Sequence, residues 1–275
     1  MQGQITKIIS NDYFVSHEDE VTVCKSRGKF RNEGITPQVG DYVVFDLNQK
    51  LITDVLERKN SLNRPNVANI DQVFIITSLK KPDFSTNLLD KLLVVTLSNK
   101  MKPIIILTKR DLLNKEEFID LKLVIQYYKK IGFKVLYNTN KFLIKRQFIN
   151  KTTVFTGQTG SGKSTLINKL DKSLDFETNE ISKALGRGKH TTRYVTLVKL
   201  FKGKILDTPG FSSIDLSNLT NEEIRGCFIE FNNYKCPFKN CMHINEKNCD
   251  VKEAVKNNKI LNSRYENYKK FIEKR

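Results

Sequence analysis

The stretch GQTGSGKST, at residues 157–165, constrains the fold of this chain more than any other. It matches the pattern G-x-x-x-x-G-K-[ST] of a phosphate-binding loop, which works only between a buried strand and the first turn of a helix. The context agrees, because the β-rich run TTVFTG precedes the motif and the helical run STLINKL overlaps its end. Its glycines let backbone N–H groups surround phosphate oxygens at the positive end of the helix dipole. The predicted nucleotide-binding residues are Gly157, Gln158, Thr159, Gly160, Ser161, Gly162, Lys163, Ser164 and Thr165.

The end of this loop and a later segment, DTPG, would together complete a phosphate and magnesium site. Lys163 is predicted to reach the β- and γ-phosphates, and the Ser164 hydroxyl to coordinate Mg²⁺. DTPG at 207–210 follows a predicted strand. Asp207 can hold Mg²⁺ through water there, and Gly210 can offer its N–H to the γ-phosphate. On its own DTPG would be a simple turn, so its pairing with the phosphate loop is what favours a functional interpretation.

TKRD at 108–111 ends an apolar strand and has the features of a guanine-recognition segment. The Asp111 carboxylate can accept the N1–H and N2–H₂ donors of guanine, a pattern that adenine does not offer. The Lys109 stem can lie over the base, and Arg110 is included in the predicted nucleotide site. Such a segment usually begins with Asn, whereas Thr108 has a hydroxyl and no amide, which leaves open whether it hydrogen-bonds the phosphate loop. In ordinary GTPases this segment follows the phosphate loop; here it precedes it, which predicts a circular permutation.

GRGKHTTR at 186–193 lies between the phosphate loop and DTPG, where a threonine ligand of Mg²⁺ is expected. Either Thr191 or Thr192 would serve. Many Ras-like enzymes use a Gln just after the DxxG element to orient the attacking water, but Phe211 stands there and forms no side-chain hydrogen bonds. His190 is the predicted catalytic residue that positions the water instead. The alternative is that His190 contacts RNA, because basic loops commonly meet phosphates.

The charge of the chain favours an anionic partner. Its 275 residues carry a net charge of +17 at pH 7, and residues 61–220 hold 27 basic against 13 acidic side chains. Such a surplus favours RNA or an acidic membrane surface; the alternative is a lysine-rich solvated surface. The apolar runs are too short to span a bilayer, and the amino terminus lacks the apolar core of a signal peptide. We predict a cytoplasmic, monomeric protein without a membrane segment.

Changes of pattern along the chain predict three domains. Residues 1–62 contain about five short alternating runs, typical of an OB-fold barrel that binds RNA, with an SH3-like barrel as the alternative. Within it, KSRGKFR at 25–31 either clamps a phosphate backbone, with Phe30 stacked on a base, or forms a solvated hairpin tip. Residues 63–220 alternate strands with helices, which predicts a parallel α/β sheet covered on both faces. Residues 221–275 are helical, then cysteine-rich, then helical.

The tail concentrates metal-ligating residues. Three of the five cysteines lie within fourteen residues and beside a histidine. Three thiolates and one imidazole fill a tetrahedral Zn²⁺ shell, which predicts a structural zinc site; the alternative is fortuitous cysteines around a core histidine. The predicted ligands are Cys236, Cys241, His243 and Cys249. The spacing of three and four between Tyr265, Tyr268, Phe271 and Ile272 is more typical of a docking face of a helix than of a ligand site.

Together these segments resemble the bacterial ribosome small-subunit-dependent GTPase family, RsgA or YjeQ. The barrel, RPNVANIDQVFII, TKRD, GQTGSGKST, GRGKHTT, DTPGF and CPFKNCMH occur in that order and span essentially the whole chain. The resemblance implies a circularly permuted GTPase with one structural Zn²⁺ and with Mg²⁺ bound alongside GTP. It implies binding to the 30S ribosomal subunit and 16S rRNA, and subunit-stimulated hydrolysis of GTP to GDP during late small-subunit maturation.

We weighed three other functions against this one. In the first, the chain is an RNA-binding protein whose guanine nucleotide is a structural ligand or slow switch. A P-loop kinase of a small molecule is disfavoured, because no lid or acceptor pocket is evident and Asp111 favours guanine. A permuted GTPase of the large subunit is disfavoured by the barrel and the cysteine cluster together.

Overall fold

The computed structural model places most of the chain in two compact units. It describes residues 1–28, 30, 34–63, 66–171, 195–207 and 215–273. Unit 1 comprises Met1–Val73, Thr139–Phe155 and Lys163–Ser212. Unit 2 comprises Phe74–Asn138, Thr156–Gly162 and Ser213–Arg275. Within the described ranges, no helix combines the length and the apolar character needed to cross a bilayer.

Unit 1 begins with a five-stranded, OB-like barrel, as the sequence predicts. Its strands are β1 (Gln2–Ile9), β2 (Asp12–His17), β3 (Glu20–Ser26), β4 (Tyr42–Asp46) and β5 (Leu51–Val55). β1 pairs antiparallel with both β2 and β4, and β5 joins β3 to β4, so the ring of strands closes. Side chains alternate between the two faces of each strand, and Ile5, Val15 and Ile52 are fully buried inside.

The expectation that Phe30 stacks on a base is wrong. Phe30 is only 2% exposed and belongs to the barrel core with Val43 and Phe45. Full burial of such a side chain is worth about 1.5–3 kcal/mol, which a small barrel gains only by turning the ring inward. Other residues of the predicted clamp, among them Lys29, lie outside the described residues.

Beyond the barrel, a short antiparallel pair of strands comes first, and from Gln72 to Leu170 strands then alternate with helices. The strands are β6 (Ser61–Asn63), β7 (Asn66–Ala68), β8 (Gln72–Ser78), β9 (Lys102–Thr108), β10 (Lys134–Tyr137), β11 (Thr152–Thr156), β12 (Thr196–Leu200) and β13 (Gly203–Asp207). The helices are α1 (Thr86–Ser98), α2 (Lys115–Lys130), α3 (Lys141–Gln147), α4 (Lys163–Leu170), α5 (Asn221–Gly226), α6 (Asp250–Lys256) and α7 (Asn262–Glu273). Short 3-10 helices cover Arg110–Leu112 and Ile229–Asn233.

In unit 1 the predicted parallel sheet is only partly right. β11 and β13 are parallel neighbours, but β12 runs antiparallel to β13. The turn between them contains Phe201 and Lys202, with φ values of 47° and 61°. A turn this short reverses the chain and therefore makes antiparallel neighbours. β12 also pairs with β1, where Lys7 lies opposite Thr196.

Unit 2 holds the parallel pair β9 and β10. β9 lies between β8 and β10 in the strand order and runs parallel to β10. A capping box, in which Asn114 and Glu117 bond to each other's backbone N–H, begins α2. Thr108 is the last residue of β9. The TKRD segment therefore leaves the carboxyl end of a buried strand, where α/β folds place their ligands.

The carboxyl-terminal helices of unit 2 pack around an apolar cluster that includes Phe228 and Phe231. Tyr265, Tyr268 and Phe271 of α7 are buried in this cluster, and Ile272 packs against it. The predicted docking face of α7 is thus confirmed.

A buried ionic network that the sequence does not reveal joins α7 to α1. Arg264 is completely buried and donates to Asp90 Oδ1 at 2.6 Å and to Glu230 Oε1 at 2.5 Å. The Tyr128 hydroxyl also donates to Asp90 Oδ1, at 2.6 Å. Burial alone would lower the pKa of Arg264, but the two carboxylates raise it. The network keeps a charged guanidinium paired inside the unit.

Candidate nucleotide and metal sites

The two predicted nucleotide motifs meet inside unit 2. The Thr108 hydroxyl, at the end of β9, donates a hydrogen bond of 2.6 Å to the backbone carbonyl oxygen of Ser161 in the phosphate loop. Both residues are buried. The Thr108 hydroxyl therefore makes the hydrogen bond to the phosphate loop, although the residue lacks the amide of the usual Asn.

Glycine is required by the path of the phosphate loop. Gly157, Gly160 and Gly162 have φ values of 143°, 76° and 92°, which side chains rarely tolerate. A Cβ on Gly157 would lie 2.1 Å from the carbonyl oxygen of Ile76. The Ser161 hydroxyl is buried and has no hydrogen-bond partner among the described residues. A cradle closed to side chains and a buried hydroxyl without a protein partner fit a phosphate-bearing ligand.

Of the three residues after Thr108, Lys109 and Arg110 contact other parts of the protein, whereas the carboxylate of Asp111 is exposed. Lys109 has a left-handed backbone, with φ of 57°, and its ammonium donates to the carbonyl oxygen of Lys81. The Arg110 guanidinium lies 3.5 Å from the centre of the Phe118 ring. Asp111 is exposed, and no described residue donates to its carboxylate. Asp111 is therefore the acidic group in this segment that is free to accept hydrogen bonds from a base.

In unit 1, helix α4 carries the last three residues of the motif. Lys163 begins α4 and is half-buried, and burial lowers its pKa. Ser164 is half-buried and Thr165 is exposed. The first turn of α4 contains no acidic side chain, so no carboxylate of its own neutralises the positive end of the helix dipole.

Several predicted residues cannot be placed. Asp207 is the last residue of β13, but its side chain lies outside the description. His190, Thr191, Thr192 and Gly210 lie outside the described residues. Their predicted roles stay predictions.

The four predicted metal ligands come together in unit 2. The Sγ atom of Cys249 lies 3.7 Å from the Sγ atoms of Cys236 and Cys241 and 3.3 Å from Nδ1 of His243. All four ligand atoms lie within 4.8 Å of one another. Ligands about 2.0–2.3 Å from a central ion stand about 3.3–3.8 Å apart in a tetrahedron. The cluster could therefore hold a metal ion, and its donor atoms suit a closed tetrahedral site.

Burial shifts the pKa values of the metal-ligating groups toward their neutral forms. Burial raises the pKa of the Cys241 thiol to about 12 and lowers the pKa of His243. A neutral imidazole is the form that binds metals, whereas the thiol protons have to leave when a cation binds.

Neighbouring side chains hold the ligand loop through its backbone. The Tyr265 hydroxyl donates to the carbonyl oxygen of His243, and the Tyr268 hydroxyl to that of Met242, each at 2.6 Å. Arg225 Nη1 donates to the carbonyl oxygen of Cys241 at 2.9 Å. The Glu246 carboxylate accepts from the Met242 N–H at 2.6 Å. Side chains of α5 and α7 thus position the ligand loop.

Comparison with known proteins shows the family of the chain. A family model described as RsgA GTPase matches residues 55–217, and one described as RsgA N-terminal domain matches residues 2–51. The chain belongs to the RsgA GTPase family. Among its RsgA relatives, the small ribosomal subunit biogenesis GTPase RsgA 2 of Oceanobacillus iheyensis is 48% identical over 99% of this chain and 96% of its own. The small ribosomal subunit biogenesis GTPase RsgA of Pediococcus pentosaceus is 42% identical over 98% and 92% of the two chains.

Two solved structures share the fold of this chain. YjeQ from Thermotoga maritima aligns with a TM-score of 0.86 at 32% identity, covering 98% of this chain and 96% of its own. YloQ, described as a circularly permuted GTPase, aligns with a TM-score of 0.83 at 34% identity, covering 98% and 93%. The circular permutation predicted from the order of TKRD and the phosphate loop is confirmed.

Proposed function

We propose that this protein is a GTPase that binds the 30S ribosomal subunit and hydrolyses GTP to GDP and phosphate during late small-subunit maturation. The similarity to proteins named small ribosomal subunit biogenesis GTPases, over essentially the whole chain, carries this proposal. The link between Thr108 and Ser161 supports it, because base-recognition and phosphate segments then act on one nucleotide.

In the proposed reaction, Asp111 selects guanine, and the loop N–H groups and Lys163 hold the phosphates. Ser164, Asp207 through water, and Thr191 or Thr192 would hold Mg²⁺, which neutralises charge on the β- and γ-phosphate oxygens. His190 orients a water whose oxygen bonds to the γ-phosphorus. The bond from that phosphorus to the β–γ bridging oxygen breaks, and GDP leaves.

The cysteine cluster is proposed to hold one structural Zn²⁺. Four protein ligands leave no position for a reacting water, so the ion would stabilise the fold of the tail and take no part in hydrolysis.

The functional domains are proposed to be residues 1–62, 63–220 and 221–275, with the barrel and the basic central segment on 16S rRNA. The surplus of positive charge in residues 61–220 supports an RNA partner. The protein is proposed to be a cytoplasmic monomer.

GTP turnover measured alone, with purified 30S subunits and with 50S subunits tests the proposal. We expect slow turnover alone, strong stimulation by 30S and none by 50S. Equal stimulation by both subunits would contradict the small-subunit assignment.

A second candidate is an RNA-binding protein whose guanine nucleotide is a structural ligand or slow switch. Phe211, which stands where many GTPases have a water-orienting Gln, favours it. Tight GTP binding without turnover even on 30S would support this candidate over the first.

A further inference from the structure

Unit 1 contains a cavity that neither the nucleotide motifs nor the cysteine cluster uses. Its volume is about 610 Å³, within the range of small-ligand sites, about 300–1,000 Å³. It lies at the amino ends of β11 and β13, whereas the phosphate loop follows the carboxyl end of β11. Its lining includes Tyr42, Asp71, Lys151, Lys199, Lys202 and Lys204. We call it the lysine cavity.

Backbone hydrogen bonds fix the frame of the lysine cavity. The Asn150 N–H donates to the carbonyl oxygen of Lys202, and the Lys204 N–H to that of Lys151, each at 2.9 Å. A Cβ on Gly203 would lie 1.9 Å from the carbonyl oxygen of Phe148, so only glycine lets the β12–β13 turn approach so closely. These backbone contacts thus fix the shape of the cavity.

The lining has an excess of positive charge. Its carboxylate, Asp71, already accepts from Lys59 at 2.6 Å and from the Thr152 N–H at 2.8 Å. Lys151 and Lys202 are exposed, and neither has a carboxylate partner among the described residues. These two ammonium groups are therefore available to an anion.

The other two lysines strengthen the positive field. Lys199 pairs at 3.0 Å with Asp19, whose side chain is fully exposed, and such surface pairs are weak. Lys204 donates to the side-chain oxygen of Gln4. Burial, and then the neighbouring Lys199, lower the pKa of Lys204, as expected where cations are crowded.

One aromatic ring at the cavity is open for stacking. Tyr42 is 47% exposed. Phe201, by contrast, is engaged by Phe148, whose ring centre is 5.5 Å away, and by the Lys145 ammonium, 4.7 Å from its ring centre. An exposed ring beside unpaired lysines is the combination that binds a base together with its flanking phosphates.

We propose that the lysine cavity binds one unpaired nucleotide of an RNA strand, with Tyr42 on the base and Lys151 and Lys202 on the flanking phosphates. A base inside a duplex has no free face for the ring, so a single strand is favoured. The proposal deepens the proposed function, on which it rests for its ribosomal context, by naming a surface that would meet RNA.

Charge reversal in matched positions tests the phosphate contacts. The variant Lys151→Glu/Lys202→Glu is compared with Lys122→Glu/Lys130→Glu, which changes the net charge equally at exposed positions of α2. Binding of a labelled, unstructured single-stranded RNA decamer is followed by fluorescence anisotropy. We expect the cavity variant to bind about tenfold more weakly or worse. The plot of the logarithm of the binding constant against the logarithm of the salt concentration should become less steep by about 1.4, because two phosphate contacts are lost. Equal losses in both variants would overturn the proposal.

Substitution of the ring tests the base contact. Tyr42→Ala should weaken decamer binding about fivefold or more, whereas Tyr42→Phe should retain it. Binding of duplex RNA should not respond to either change. If free CMP displaces the decamer at equal concentration, the cavity is a small-nucleotide site and the RNA assignment is wrong.

GDP affinity is measured in every variant, and unchanged values show that the fold is intact. Loss of decamer binding in the cavity variants supports the proposal even if 30S fails to stimulate the unmodified protein. That failure would contradict the proposed function alone.

Discussion

At residue 108, a hydroxyl replaces the amide that usually begins a guanine-recognition segment. Thr108→Val removes the 2.6 Å bond to Ser161 and leaves a buried carbonyl oxygen without that donor. Because an unsatisfied buried group costs about 1–3 kcal/mol, we expect GDP to bind at least about fivefold more weakly in a fluorescent-nucleotide titration. Thr108→Ser keeps the hydroxyl and is the matched control. Equal affinity in the two variants would show that the bond does not position the loop.

Asp111 is expected to determine base preference. Its exposed carboxylate has no partner among the described residues and can accept two donors of guanine. We expect Asp111→Asn to weaken GTP binding about tenfold or more and to favour xanthine nucleotides, whose 2-oxo group accepts where guanine donates. Competition between XTP and GTP in both proteins measures the change. Equal binding of ATP and GTP by the unmodified protein would rule out this role.

His190 is expected to act in hydrolysis rather than in binding. Help of the general-base kind is worth about 10²–10⁴-fold. We expect His190→Ala to keep GTP-dependent 30S binding and to lose most subunit-stimulated turnover. Sedimentation with 30S and phosphate release are measured on the same sample. Loss of binding with unchanged turnover per bound complex would make His190 an RNA contact.

At the level of elements, α7 is held to α1 by a buried charge. Removing one partner of such a network leaves the others uncompensated, so we expect Arg264→Met to lower the free energy of unfolding by about 3–5 kcal/mol. Lys269→Ala in the same helix breaks the 2.8 Å pair with Glu266, whose side chains are 29% and 41% exposed. That control should cost about 0–1 kcal/mol. Urea denaturation measures both, and similar losses would contradict a central role for Arg264.

The elements that the sequence predicts are those with a local signal. Alternation in the barrel, the strand before Gly157 and the spacing of the cysteines all depend on residues close together in the chain. The Arg264 network depends on residues far apart. The antiparallel β12 and the inward ring of Phe30 have nearer causes, the short turn at Phe201 and Lys202 and the shared core cluster with Val43 and Phe45, but neither is visible in the alternation of apolar residues. Arg264 and Asp90 are separated by 174 positions, and no periodicity in either helix indicates that they pair. Whether the Thr108 hydroxyl bonds the phosphate loop could not be predicted either, because Thr108 and Ser161 are 53 positions apart.

At the scale of the whole molecule, the cysteine cluster is part of the apolar core of the carboxyl-terminal segment, to which Cys241 and Cys249 belong. We expect one zinc per chain by atomic absorption, and loss of both the metal and the helical signal of the tail in Cys241→Ser, because metal binding and folding are coupled. Cys24→Ser alters a buried cysteine of the barrel and should keep the metal. Zinc retained at full stoichiometry in Cys241→Ser would contradict the assigned ligands.

The pairing of β1 with β12 has a consequence for anyone who shortens this protein. Lys7 and Thr196 are neighbours across a ladder, so deleting the barrel would remove one of the two strands beside β12 and expose that edge, while β13 would still pair with the other edge. Such an edge recruits strands from other copies and promotes aggregation. A fragment that starts after residue 62 should therefore be expressed with a solubilising fusion or with a charged replacement on β12, and insolubility of the plain fragment would say nothing about its enzymology.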